Sequence, residues 1–120
     1  MSRSKPEVRI FHNPRCSKSR ETLALLEARG CEIEIVEYLK VPPDVDELAS
    51  LCAMLGLKAH QLMRKGEPLF KEQFLDQQLS EDQCLAAMAR HPILIERPIV
   101  VHKNRAVLGR PPQAALDLLQ

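Results

Sequence analysis

Two stretches near the start of the chain read as strands, one as a run of strand formers and the other by its alternation of apolar and polar residues. Val8 to His12 is a short run of strand formers that stops at the Asn13-Pro14 breaker. Cys31, Ile33 and Ile35 alternate with Glu32 and Glu34, and the run continues through Val36 and Tyr38. Between the two, residues Ser17 to Arg29 carry Leu23, Leu25 and Leu26 on a helical stripe, with Arg20 and Glu27 outside it and Gly30 as the stop. Strand, helix and strand in this order, with a connection of this length, predict a right-handed parallel βαβ unit.

The pattern then turns helical. Pro42-Pro43-Asp44 opens a helix with Val45, Leu48, Leu51, Cys52 and Leu55 on one face and Gly56 at its end. A short helix is expected over His60 to Arg64, and Gly66 and Pro68 mark a loop. Ser80 and Gln83 form a capping box ahead of a helix over Cys84 to Arg90, which His91-Pro92 closes. From Pro98 on, Ile99 to His102, a turn at Lys103-Asn104 and Ala106 to Leu108 read as a hairpin, followed by a helix from Pro112 to Leu119. The expected order is βαβ…ββα, with a helical insertion over about 43–90. No repeat, linker or low-complexity segment interrupts it.

Length and composition narrow the class. At 120 residues and 45% apolar content, the chain is expected to form a single domain over 1–120. A domain of this size buries about two-thirds of its surface, so it needs no disulfide or metal staple. No run approaches the ~18 apolar residues of a membrane span, and the N-terminus has no apolar core of a secretion signal, so the cytoplasm is the expected location. Net charge is +1, which gives no case for binding nucleic acid or a membrane. Three Phe and one Tyr are too few and scattered for a base-stacking platform. The charge is unevenly spread, however. Residues 1–20 carry six basic and one acidic side chain, residues 97–120 four and one, and residues 21–60 three and eight. If the fold joins the two basic ends, they make a compact positive site suited to a small anion.

The cysteines are Cys16, Cys31, Cys52 and Cys84, with no C-x-x-C pair and no zinc-ligand spacing. Cys31, Cys52 and Cys84 sit where a small apolar residue serves for packing. Cys16 is different, because it stands where the first strand hands over to the first helix. Its sulfur can face the first-turn backbone N–H groups and the positive end of the helix dipole. Arg15, Lys18 and Arg20 are close in sequence and His12 lies four residues before, an electropositive setting that favours the thiolate. His12 either tunes Cys16 or simply packs at the strand end, and Asn13 shapes the loop. Position 19 is Ser, so no intramolecular C-x-x-C disulfide can close and the reductant must come from outside. His60, His91 and His102 form no set with a carboxylate or metal spacing, and no metal site is expected.

A cysteine at a strand-to-helix junction in this element order resembles the thioredoxin-like fold, an α/β architecture with a mixed sheet. The likeness becomes specific in HNPRCSKSRET at 12–22, PP-x-x-x-EL from Pro42 to Leu48, LMRK at 62–65, HPILIERPIVV at 91–101 and GRPP at 109–112. Together and in order, these resemble the short-chain members of the ArsC-type, glutaredoxin-coupled arsenate reductase family. The resemblance implies Cys16 as the nucleophile and Arg64, Arg97 and Arg110 as the holders of arsenate or a similar oxyanion. Guanidinium forks suit that task because they donate paired, charge-assisted hydrogen bonds and stay ionised. It also implies Ser19 as a neighbour of the thiolate and Pro98 as the cis-proline that thioredoxin-like folds keep opposite the cysteine. Glutathione is implied as co-substrate with glutaredoxin completing the cycle, no cofactor bound, and a monomer. Two other readings stand beside it. A general glutathione-dependent thiol reductase needs only Cys16. A regulatory module like Spx, which binds RNA polymerase, shares the fold but often carries the C-x-x-C absent here. The C-G-F-S signature of a cluster-carrying monothiol glutaredoxin is not matched.

Overall fold

The computed structural model describes residues 5–120, which form two compact units, one of residues 5–38 with 97–120 and the other of residues 39–96. The first unit is built on a four-stranded sheet of β1 (Glu7–Phe11), β2 (Glu32–Val36), β3 (Ile99–His102) and β4 (Arg105–Leu108), in the order β2-β1-β3-β4. β1 and β2 run parallel with Val8 opposite Ile33 and Ile10 opposite Ile35. β3 is antiparallel to both β1 and β4. The sheet is therefore mixed, and the element order is the expected βαβ…ββα.

Alternation along β1 puts Val8 and Ile10 on one face, where they pack with Leu26 of α1 (Ser17–Ala28), Val100 of β3, and Ala115 and Leu118 at the C-terminal end. Leu23, Cys31, Ile33, Val107 and Leu119 extend that core. On the opposite face the Arg9 guanidinium lies over the Phe11 ring, 5.0 Å from its centroid. α1 ends where expected. Gly30 takes φ +76°, a left-handed conformation costly for any residue with a Cβ. The N–H groups of Gly30 and Cys31 then return to the Glu27 and Leu26 carbonyls at 3.0 and 3.2 Å. This turn aims the chain directly into β2.

β2 stops at Val36 instead of continuing to Tyr38. Its partner strand ends at Phe11, the His12 N–H makes the last ladder bond to the Val36 carbonyl at 2.8 Å, and Pro14 has no N–H to offer. The last helix is also shorter than expected. α6 proper covers Ala114–Asp117, and bonds three residues apart tighten it at both ends, from Ala114 N–H to the Pro111 carbonyl and from Leu119 N–H to the Leu116 carbonyl. Arg105 Nη2 closes it by donating to the Leu118 carbonyl at 2.6 Å.

The second unit contains α2 (Val45–Leu55), α3 (Ala59–Leu62), α4 (Pro68–Gln73), α5 (Glu81–Arg90) and a 3₁₀ turn at Pro92–Leu94. Asp44 caps α2 by accepting the Glu47 N–H at 2.8 Å. The Ser80–Gln83 capping box forms in both directions, at 3.1 and 2.8 Å, so α5 starts at Glu81, ahead of the expected Cys84. Two further expectations are corrected. α3 covers Ala59–Leu62 and not His60 to Arg64, because residues 62–64 instead pair in extended fashion with 94–96. Arg64 N–H donates to the Leu94 carbonyl at 2.8 Å and Glu96 N–H to the Leu62 carbonyl at 2.9 Å. The segment after Gly66 is helical as α4: Pro68 stands in its first turn, where the missing N–H has no intrahelical partner in any case, and Phe70 anchors it in a buried position. Among the described residues no helix is long and apolar enough to cross a membrane.

Candidate active site

The loop between β1 and α1 is fixed by its own polar groups. Asn13 Oδ1 accepts the Arg15 N–H at 3.0 Å, the Asn13 carbonyl accepts the Cys16 N–H at 3.0 Å, and Arg20 Nη1 donates to the Pro14 carbonyl at 3.0 Å. Cys16 follows as the N-cap residue of α1, in extended backbone conformation, with its carbonyl accepting the Arg20 N–H. The N-cap position turns its side chain toward the free N–H groups of the first helical turn. At 9% exposure the residue is enclosed but more open to solvent than Cys84 at 2%.

Burial is the largest single influence on the Cys16 thiol and pushes it up. The backbone N–H of Ser19, the charge of Arg97, the backbone N–H of Lys18 and the charge of Arg110 together outweigh it, and the thiol is held below its ordinary value. The other three cysteines shift the opposite way. Burial raises Cys31, and burial with the Glu81 carboxylate nearby raises Cys52 and Cys84. All four thiols are free.

Arg110 links the parts of the site. Its Nη2 lies 3.7 Å from Cys16 Sγ, and its Nε donates to the Arg97 carbonyl at 2.7 Å. Each of the two arginines precedes a proline through a cis peptide, Arg97–Pro98 and Arg110–Pro111. The two loops are also joined by the Gly109 N–H, which donates to the Pro98 carbonyl at 2.9 Å. Pro98 is buried, and so is Gly109. Gly109 has no room for a side chain, since a Cβ there would stand 2.5 Å from Thr22 Oγ1 and 2.8 Å from Pro98 Cγ.

On the inner side of the loop, His12 and Ser19 are both buried, and His12 Nδ1 lies 2.6 Å from Ser19 Oγ. Burial holds the imidazole below its ordinary value, with Arg20 adding to the effect and Glu37 and Glu27 opposing it. Of the residues singled out in the sequence, the first unit brings together Cys16, His12, Asn13, Ser19, Arg97, Pro98 and Arg110. Arg64 belongs to the second unit, where Nη2 pairs with Glu67 Oε2 at 3.0 Å and Nη1 donates to the Ile93 carbonyl at 3.2 Å. Thr22 and Gly109 lie inside the motifs HNPRCSKSRET and GRPP, but their contact carries no sequence signal of its own. His102 Nδ1 is engaged by the Glu7 carbonyl at 2.9 Å, and His91 ends α5 edge-on to Phe74. Among the described residues no group of three or more His, Cys, Asp or Glu is arranged to hold a metal ion.

A thiolate beside two guanidinium groups can attack an electrophilic atom that carries anionic oxygens, with the charge of those oxygens met as the bond forms. The sequence profile of the ArsC family matches residues 11–118. The chain belongs to the ArsC family. A relative in Neisseria meningitidis serogroup A, named arsenate reductase, is 52% identical over 88% of this chain and 92% of its own length. The Escherichia coli K12 relative, named uncharacterized protein YfgD, is 50% identical over 94% and 97%. The solved structure of an arsenate reductase from Vibrio cholerae superposes with a TM-score of 0.92 at 51% identity, covering 96% of this chain and 99% of that one. The ArsC architecture seen there is the α/β fold described above.

Proposed function

We propose that this ArsC-family chain reduces arsenate to arsenite, with glutathione and glutaredoxin as the reductants. The observation that carries the reading is the Arg110 guanidinium 3.7 Å from the sulfur of Cys16, on a thiol held below its ordinary value with Arg97 also beside it. The names of the Neisseria and Vibrio relatives supply the substrate.

The Cys16 thiolate attacks arsenic, an S–As bond forms, and one As–O bond breaks with the oxygen leaving as water. Arg97 and Arg110 meet the negative charge of the remaining oxygens. Glutathione then attacks the Cys16 sulfur. The S–As bond breaks, its electron pair stays on arsenic, and arsenite leaves while Cys16 is left as a mixed disulfide with glutathione. Two thiols are oxidised and one As(V) is reduced to As(III), so the electrons balance. A glutaredoxin thiol removes the glutathionyl group by exchange and restores Cys16. An external thiol is required because Ser19 occupies the place of a resolving cysteine. The family resemblance adds Arg64 to the oxyanion holders, and Arg64→Ala tests that assignment separately by its effect on KM for arsenate.

The deciding assay measures arsenite formed from arsenate with glutathione and glutaredoxin, wild type against Cys16→Ser. Arsenite from the wild type alone is the expected result. Reduction of glutathionylated thiols without arsenite would instead assign a general thiol reductase.

A further inference from the structure

The contact between Thr22 and Gly109 joins two segments 87 positions apart in sequence, and neither residue reaches the Cys16 sulfur. We propose that Thr22 and Gly109 are positioning residues, whose close contact sets how far the loop carrying Arg110 closes onto α1 and thereby holds the Arg110 guanidinium against Cys16. The inference rests on the reading of Arg110 as an oxyanion holder only for its effect on arsenate. Its effect on the Cys16 thiol is independent of that reading.

The geometry constrains the loop from several sides. Thr22 lies six positions, less than two turns, after Cys16 on the same helix, and its side chain is fully buried. Its hydroxyl is engaged by the Lys18 carbonyl at 2.7 Å, which fixes the rotamer, and it stands 3.4 Å from the Gly109 carbonyl. Gly109 in turn is bonded through its N–H to the Pro98 carbonyl. A Cβ at position 109 would meet Thr22 Oγ1 at 2.5 Å and Pro98 Cγ at 2.8 Å, distances real Cβ atoms essentially never show, and Thr22 Cγ2 at a tight 3.0 Å. The loop therefore sits as close to α1 as a backbone without a side chain allows. The next residue is Arg110, whose Nη2 reaches the sulfur at 3.7 Å. A charge-assisted contact at that length weakens steeply if the loop lifts. Arg110 Nε is tied to the Arg97 carbonyl, so a lifted loop strains the link between both arginines.

Five variants test this: Gly109→Ala, Thr22→Ala, Arg110→Ala and the double variants Gly109→Ala/Arg110→Ala and Gly109→Ala/Thr22→Ala. The thiolate of Cys16 is titrated by its ultraviolet absorbance, and KM and kcat for arsenate are measured alongside. Gly109→Ala is expected to move the thiol titration upward toward that of Arg110→Ala and to raise KM by about tenfold, the loss of roughly one charge-assisted hydrogen bond. In the Arg110→Ala background the same glycine change should leave the titration where Arg110→Ala alone puts it. Adding Thr22→Ala to Gly109→Ala removes two of the three clashing atoms and should recover part of the shift. An unmoved titration in folded Gly109→Ala, or an equal further shift in the Arg110→Ala background, overturns the proposal. If Gly109→Ala does not fold, Thr22→Ala decides: loosening the loop should raise the thiol titration, and an unchanged titration overturns the proposal. If no variant or wild type reduces arsenate, the proposed activity fails while the thiol titrations still decide the positioning.

Discussion

His12 Nδ1 and the Ser19 hydroxyl lie 2.6 Å apart, and the same hydroxyl accepts the Asn13 backbone N–H at 3.0 Å. Because the oxygen accepts from Asn13, its own proton is available to the imidazole nitrogen. That arrangement fits the neutral ring that burial favours at His12. One hydroxyl thus ties the first turn of α1 to the end of β1 and fixes the path of the loop that bears Cys16.

Ser19→Ala removes that tie at a site of 0% exposure. It leaves the Asn13 N–H and the His12 nitrogen without their partner, and a buried polar group stripped of its bond costs about 1–3 kcal/mol. Urea unfolding should show a loss in that range at pH 8. The thiol should remain the fastest in the chain, because the backbone N–H of Ser19, not its hydroxyl, faces the sulfur.

Stability should fall on acidification through His12. Its folded value lies below the ordinary 6.5, so between the two values the unfolded chain binds the extra proton. The contribution is whole above about pH 6.5 and is lost as pH falls through the folded value. Unfolding free energies at pH 8, 6.5 and 5 should decline, and His12→Asn should flatten that decline. A slope identical to wild type would assign the acid sensitivity to other groups.

Iodoacetamide should label Cys16 before any other thiol, since it alone combines access with a depressed titration. Cys31, half-buried and raised, should come second, with Cys52 and Cys84 last. Timed peptide mapping checks the order. Because Cys16 is held below an ordinary thiol, its labelling rate should fall off at a lower pH than that of the other cysteines.

What the sequence made legible follows the range of the interactions. A run of strand formers placed β1, period-two alternation placed β2, and the local Ser80–Gln83 reciprocity announced a helix, whose first turn at Glu81 precedes the expected Cys84. The position of Cys16 at the head of α1 was legible because a run of strand formers ending at Asn13-Pro14 and a helical stripe from Ser17 bracket it. Pro68 misled, because the same missing N–H that marks a loop also suits a first helical turn, and only the burial of Phe70 decides between them. The extended pairing of 62–64 with 94–96, which ends α3 early, depends on partners some thirty positions away. The bond from Arg110 Nε to the Arg97 carbonyl and the fit of Gly109 against Thr22 are likewise non-local, and no period or motif rule encodes them.

Arg97→Lys separates a site built for an oxyanion from one built for thiol exchange alone. The change keeps a positive charge near Cys16 but loses the planar fork, and it leaves the Arg97 carbonyl that anchors Arg110 Nε in place. Loss of one donor to charge that develops in the transition state typically costs about 2.7–4 kcal/mol, or roughly 10²- to 10³-fold in kcat. The low end is expected here, since Arg110 still faces the sulfur. Reaction of Cys16 with a neutral disulfide develops no oxyanion, so its rate should change little in the same variant. The measurement is the ratio of the two rates in wild type and variant. Equal losses in both reactions would make Arg97 a support of the thiolate or the fold, and an unchanged arsenate turnover would take it out of the site.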